Sequence, residues 1–132
     1  MTVPQILLTA FEPFGGDAVN PSLLIARQLD GETVAGVRVV AVELPCVFHQ
    51  ALSALEEALA RTRPVLAVAL GLAGTGVRSG FIHVPLLPEQ AERYPGKPVL
   101  ALAEQVRGVR LALQVALTHQ GADLRLAGGA VA

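Results

Sequence analysis

The chain has 132 residues and a net charge of −1, from 10 basic and 11 acidic side chains, a length that suits one domain spanning 1–132. Apolar residues make up 52% and charged residues 16%; this excludes a disordered chain, and the lack of a basic excess or Lys/Arg run excludes a nucleic-acid binder. The one cysteine, Cys46, excludes an internal disulfide and a cysteine-based zinc site, and it suits a reducing, cytoplasmic compartment.

Met1 to Gln5 has no positive n-region and Ile6 to Ala10 is too short for an h-region, so no signal peptide is read. The longest apolar stretch, Val65 to Gly74, is about half of the roughly 20 residues that a membrane span needs. The apolar excess instead predicts elements covered on both sides, as in the parallel sheets of α/β proteins.

Ile6 to Ala10 reads as a buried strand running into the turn-rich segment Phe11 to Asp17. Asn20-Pro21-Ser22 opens a helix. Asn20 supplies the cap and Pro21 fits the first helical position, where its missing N–H costs nothing. That helix is predicted to run to about Leu29, with Gly31 close behind. Val37 to Glu43 is a second strand, rich in β-branched residues, and Leu44-Pro45 ends it. Val47 to Arg61 is an amphipathic helix with Leu52, Leu55 and Leu59 at helical spacing. Val65 to Leu70 is the third strand. The order β-α-β-α-β predicts a parallel sheet with right-handed crossovers.

The pattern then changes. Gly71 to Gly76 is a glycine-rich loop, and Phe81 to Val84 reads as a strand that Pro85 closes, with no helix before it. Leu86 to Pro98 is an irregular loop. Val99 to His119 is a long helix with Leu102, Val106, Val109, Leu113 and Ala116 on one face, weakened at Gly108 by roughly 1 kcal/mol relative to alanine. The Gly/Ala-rich tail, 121–132, is expected to fray.

Several residues are chemical candidates. The glycine loop has the order G-x-x-G-x-G and precedes a strand, whereas dinucleotide cradles use G-x-G-x-x-G before a helix; a plain connection is the better reading. Cys46 and His49 stand near a helix start, where a thiol becomes nucleophilic if the helix field and an imidazole ionise it; spacing alone favours a small buried cysteine and a surface histidine. His119, at a helix end, suits a structural role. His83 sits inside an apolar strand beside a loop, at the end of an α/β sheet where ligands bind; periodicity alone favours a hydrogen-bonded core imidazole.

Longer motifs decide among these readings. Leu7-Leu8-Thr9-Ala10-Phe11-Glu12-Pro13-Phe14-Gly15-Gly16, followed by Asn20-Pro21-Ser22, resembles the N-terminal signature of the pyroglutamyl-peptidase I (pyrrolidone-carboxylate peptidase) family. Leu44-Pro45-Cys46-Val47-Phe48, Gly71-Leu72-Ala73-Gly74 and Gly80 to Gln90 resemble three further segments in family order, so the resemblance covers residues 5–119. It implies a three-layer α/β/α sandwich with a largely parallel sheet. It further implies a cytoplasmic, often oligomeric cysteine exopeptidase that removes N-terminal pyroglutamyl residues from peptides with a Cys–His–Glu/Asp triad and no metal or cofactor. By position, His83 matches the catalytic histidine. Phe11 and Phe14 match aromatics that flank the pyrrolidone ring, and Cys46 falls where the family often has threonine beside that pocket.

One departure bears on mechanism. In the family a long central segment, holding the nucleophilic cysteine and the acidic triad member, follows the stretch matched by Gly71 to Gly74; here Thr75 to Ser79 leads directly into the histidine segment. The expectation is a family fold reduced by an internal deletion, with peptidase activity impaired or absent. The alternative is a non-catalytic pyroglutamate-binding or assembly module. The ten residues from Gly71 to Gly80 reach roughly 33 Å when extended, enough to retrace the third strand. The strand at 81–84 is expected either to run antiparallel to 65–70 or to leave a gap in the sheet, with an uncovered face that favours self-association.

Overall fold

The computed structural model describes residues 3–13, 19–70, 79–82 and 84–119. Five strands form one sheet: β1 (Gln5–Phe11), β2 (Thr33–Val34), β3 (Val37–Leu44), β4 (Leu66–Leu70) and β5 (Ser79–Phe81), in the spatial order β2-β3-β1-β4-β5. β1 pairs in parallel with both β3 and β4, and only the short β2 runs antiparallel. The central position of β1 explains its composition. Ile6, Leu7 and Leu8 are each 0% exposed, because a strand covered on both faces has no polar side to present.

Among the described residues, three α-helices cover the sheet: α1 (Pro21–Leu29), α2 (Phe48–Thr62) and α3 (Leu102–Thr118). Alternate residues of β1 go to opposite faces. Ile6 and Leu8 join Leu23, Ile25 and Leu29 of α1 and Val106, Val109 and Leu113 of α3 in the larger core. Leu7 joins Leu44, Ala67 and the α2 residues Ala51, Leu55 and Ala58 in the smaller one. The α/β architecture with helices on both faces of a mostly parallel sheet is the predicted one.

Four details differ from the sequence reading. Leu52 was expected on the buried face of α2 but is 42% exposed; the buried row is Ala51, Leu55 and Ala58, whose small alanines let the helix lie close to the sheet. The last helix begins at Leu102, not Val99, because the bridge between Leu86 and Val99 holds the preceding residues extended. β2 was not foreseen. Its turn to β3 places Ala35 and Gly36 at positive φ (48° and 80°), the geometry of a two-residue hairpin. Finally, the strand expected at 81–84 is β5 at Ser79–Phe81, and it pairs directly and in parallel with β4, Val68 opposite Gly80. Neither an antiparallel strand nor a sheet gap is present there. The glycine loop 71–76 and the tail 121–132 lie outside the described residues.

Candidate active site at the carboxyl end of the sheet

β1 is followed by α1 and then β3 on one side, whereas β4 lies on its other side. The strand order therefore reverses at β1, and α1 and α2 pass over opposite faces of the sheet. In open α/β sheets such a switch point leaves a crevice outside the carboxyl ends of the strands, where ligands bind. The residues leaving β1 and β3 at that end are Phe11-Glu12 and Leu44-Pro45-Cys46.

Backbone and side-chain bonds join these two exits. Phe11 stands opposite Leu44 in the parallel register, and the Glu12 N–H donates to the Leu44 carbonyl at 3.0 Å. The Cys46 N–H donates to Glu12 Oε1 at 3.1 Å, and Cys46 Sγ donates to the Glu12 carbonyl at 3.3 Å. Phe11 is half-buried against the α2 core. On the other side, Asn20 performs two tasks. Its Oδ1 accepts from the Ser22 N–H at 3.0 Å, capping α1, and its Nδ2 donates to the Phe11 carbonyl at 3.0 Å. The cap was legible in the sequence, but the second bond, which fixes where β1 ends, was not.

The thiol is thereby committed as a donor. Spacing alone favours a buried cysteine, but Cys46 is exposed at the surface, because it stands in the segment after β3 and ahead of α2. Even so, partial desolvation, followed by the charge of the Glu12 carboxylate, pushes its pKa above the usual thiol value. Both causes disfavour the thiolate. A nucleophilic cysteine needs the opposite surroundings.

Of the predicted site residues, Phe11 and Cys46 are brought to one rim, joined through Glu12. His83 and Phe14 lie outside the described residues. The neighbours of His83, Ile82 and Val84, both pack against the larger core. The segment beyond them is held by two buried glutamines that the sequence analysis did not single out. Gln90 Oε1 accepts from the Leu87 N–H at 2.9 Å, and Gln105 Nε2 donates to the carbonyls of Leu100 (2.8 Å) and Leu86 (3.4 Å). Gln105 stands at helical spacing from Leu102 and Val109, which was its advance signal, whereas Gln90, between Glu89 and Ala91, offered none. Among the described residues, no group of three His, Cys, Asp or Glu side chains is placed to hold a metal ion.

The pyroglutamyl peptidase family profile matches residues 4–77 and 73–119. The chain belongs to that family. Its two matched stretches meet at 73–77. A pyrrolidone-carboxylate peptidase of Chromobacterium violaceum is 33% identical over 207 positions, covering 96% of this chain and 98% of the relative. One from Cupriavidus taiwanensis is 30% identical, covering 96% and 99%. The 207 positions of the first alignment exceed the 132 residues of this chain by 75, so at least 75 positions of that relative face a gap. Among solved structures, pyroglutamyl peptidase I from Bacillus amyloliquefaciens superposes with a TM-score of 0.78 at 21% identity, covering 88% of this chain and 98% of the other. A mutant pyrrolidone carboxyl peptidase from Pyrococcus furiosus gives 0.74 at 23%, covering 86% and 98%. At these identities the two structures speak for the fold.

Proposed function

We propose that this chain keeps the ring-binding side of a pyroglutamyl peptidase site and lacks the thiol that would do the chemistry. In the family, peptides with an N-terminal pyroglutamyl residue are the substrates. The assigned roles here are ring contacts for Phe11, Phe14 and Cys46, and proton transfer for His83. Hydrolysis requires the histidine to take a thiol proton, the thiolate to attack the pyroglutamyl carbonyl, and that proton to leave with the amine as the C–N bond breaks. Water, deprotonated by the same histidine, then attacks the thioester, releasing pyroglutamate and returning the proton to the sulfur. Grouped catalytic residues fail together when one is removed.

The observation that carries this reading is the state of the chain's one cysteine. Cys46 Sγ donates a hydrogen bond to the Glu12 carbonyl, and its surroundings push its pKa upward, away from the thiolate. The meeting of the two family stretches at 73–77 supports the loss of a central segment between them. The test is release of a fluorescent amine from pyroglutamyl-aminomethylcoumarin. The expected result is no turnover above buffer; turnover at roughly 1 s⁻¹ or faster, within the ordinary enzyme range, overturns the proposal. If turnover occurs, survival of activity in Cys46→Ala would exclude Cys46 as its source.

A second reading, a non-catalytic pyroglutamate-binding or assembly module, is favoured by the half-buried Phe11 at the switch point. It requires chemical-shift changes on titrating 2-pyrrolidone to millimolar levels without turnover; no shift removes it. Both readings place the protein in the cytoplasm as a homo-oligomer. The cytoplasmic part is supported by a sequence with a single cysteine, which suits a reducing compartment, and the oligomeric part rests on the family resemblance.

A further inference from the structure

The opposite end of the sheet carries an independent feature. At the amino ends of the strands lies a cavity of about 760 Å³, lined by Gln5, Arg38, Arg61, Thr62, Arg63 and Val65 among others. Phe11, at the far end of β1, is six residues from Gln5, which at about 3.3 Å per residue puts roughly 20 Å between the two ends. We propose that this cavity binds a small soluble ligand bearing a phosphate-type oxyanion, held by Arg38, Arg61 and Arg63.

The backbone brings the three arginines together. Arg38 stands opposite Gln5 in the β1–β3 register, and its N–H donates to the Pro4 carbonyl. On the other side of β1, the Val65 N–H donates to the Gln5 carbonyl, which places the end of α2 beside the same strand start. Arg61 and Thr62 are the last helical residues, and Arg63 is the cap. Among the described residues, no Asp or Glu lines the cavity. Among the described residues neither Arg38 nor Arg63 is in an ion pair, and Arg61 has only a 3.8 Å contact to Glu57 along its own helix.

Two features of α2 bear on the charge. A helix C-terminus contributes about half a negative charge, which opposes an anion. Of the four carbonyls at that end, the one of Leu59 is already engaged by the Arg63 N–H. Three guanidinium charges outweigh what remains. Arg63 also has φ 43°, a left-handed conformation that glycine adopts at less cost. An arginine kept there puts a charge where the backbone alone would favour none. Guanidinium groups stay ionised at all working pH values and match oxyanions in geometry. The cavity volume is that of a small-molecule site and exceeds what a lone phosphate fills.

The probe is inorganic pyrophosphate, titrated calorimetrically at low ionic strength against a sodium chloride control of equal ionic strength. Saturable binding is expected, weakened about tenfold or more by Arg38→Gln or by Arg63→Asn, asparagine being tolerant of the left-handed conformation. Arg107→Gln, on α3 and paired with Glu104, is expected to leave it unchanged. Thermal melts establish that each variant is folded, and Arg61→Gln replaces any that is not. Absence of saturable binding, or equal affinity in the variants, overturns the site. Cosedimentation with phosphatidylglycerol vesicles that the same variants abolish, without pyrophosphate binding, assigns the arginines to lipid headgroups and overturns the soluble ligand. None of these outcomes bears on the peptidase reading, which concerns the other end of the sheet.

Discussion

Cys46 illustrates how one residue changes meaning with its surroundings. Near a helix start, a cysteine is a candidate nucleophile. Here the preceding loop bends the thiol toward Glu12, and desolvation and the nearby carboxylate both raise its pKa. Alkylation by iodoacetamide at pH 8 is therefore expected to be slower than that of free cysteine, with a rate midpoint at higher pH. Glu12→Gln removes the smaller of the two causes and retains an acceptor for the Cys46 N–H, so it is expected to restore part of the rate. A rate equal to free cysteine in the parent protein would show the thiol to be unperturbed. The same shift has a stability sign: a thiol raised in the folded state stabilises below its unfolded pKa, and that contribution is lost as pH rises through the folded value.

At the scale of elements, side-chain capping accounts for the start of α1, which was readable in advance. Asn20 caps α1 and also holds the Phe11 carbonyl. Asn20→Ala is expected to cost about 1 kcal/mol for the cap, with a further loss of order around Phe11, seen as faster amide exchange at Phe11 and Glu12. Gly108 lies inside α3, and a Cβ there meets nothing within 4 Å. Gly108→Ala is expected to stabilise by about 0.5–1 kcal/mol in urea unfolding, since only backbone freedom is removed. What the chain did not disclose was β2, because Thr33-Val34 is too short to show a period. Nor did it disclose the orientation of β5, which a connection of eight residues, 71–78, left open between two wrong alternatives.

For the whole molecule, the larger core is shared by α1, α3 and alternate residues of β1 and β4. Leu113, 0% exposed, joins the last helix to that core. Leu113→Ala is expected to cost about 2–5 kcal/mol, a large share of the roughly 5–15 kcal/mol that holds a domain folded. A sharp two-state melt in the parent and a lowered midpoint in the variant are the expected readouts; a broad, non-cooperative parent melt would show that the described elements do not form one cooperative unit.

The site shows where local reading stops. The strand-and-helix alternation, the cap at Asn20, the buried faces of β1 and α3 and the family motifs were all present in the order of residues, because each depends on neighbours within a turn or a strand. The meeting of Glu12 with Cys46 and the grouping of Arg38 with Arg61 and Arg63 depend on parallel strands whose partners lie tens of residues apart, and the bond from Gln105 to the Leu86 carbonyl depends on how α3 packs beside a segment 19 residues earlier. Periodicity establishes which face of an element is apolar, but only the sheet order determines which polar residues at its two ends become neighbours. Which residues meet at the two ends of the sheet was therefore decided by tertiary structure.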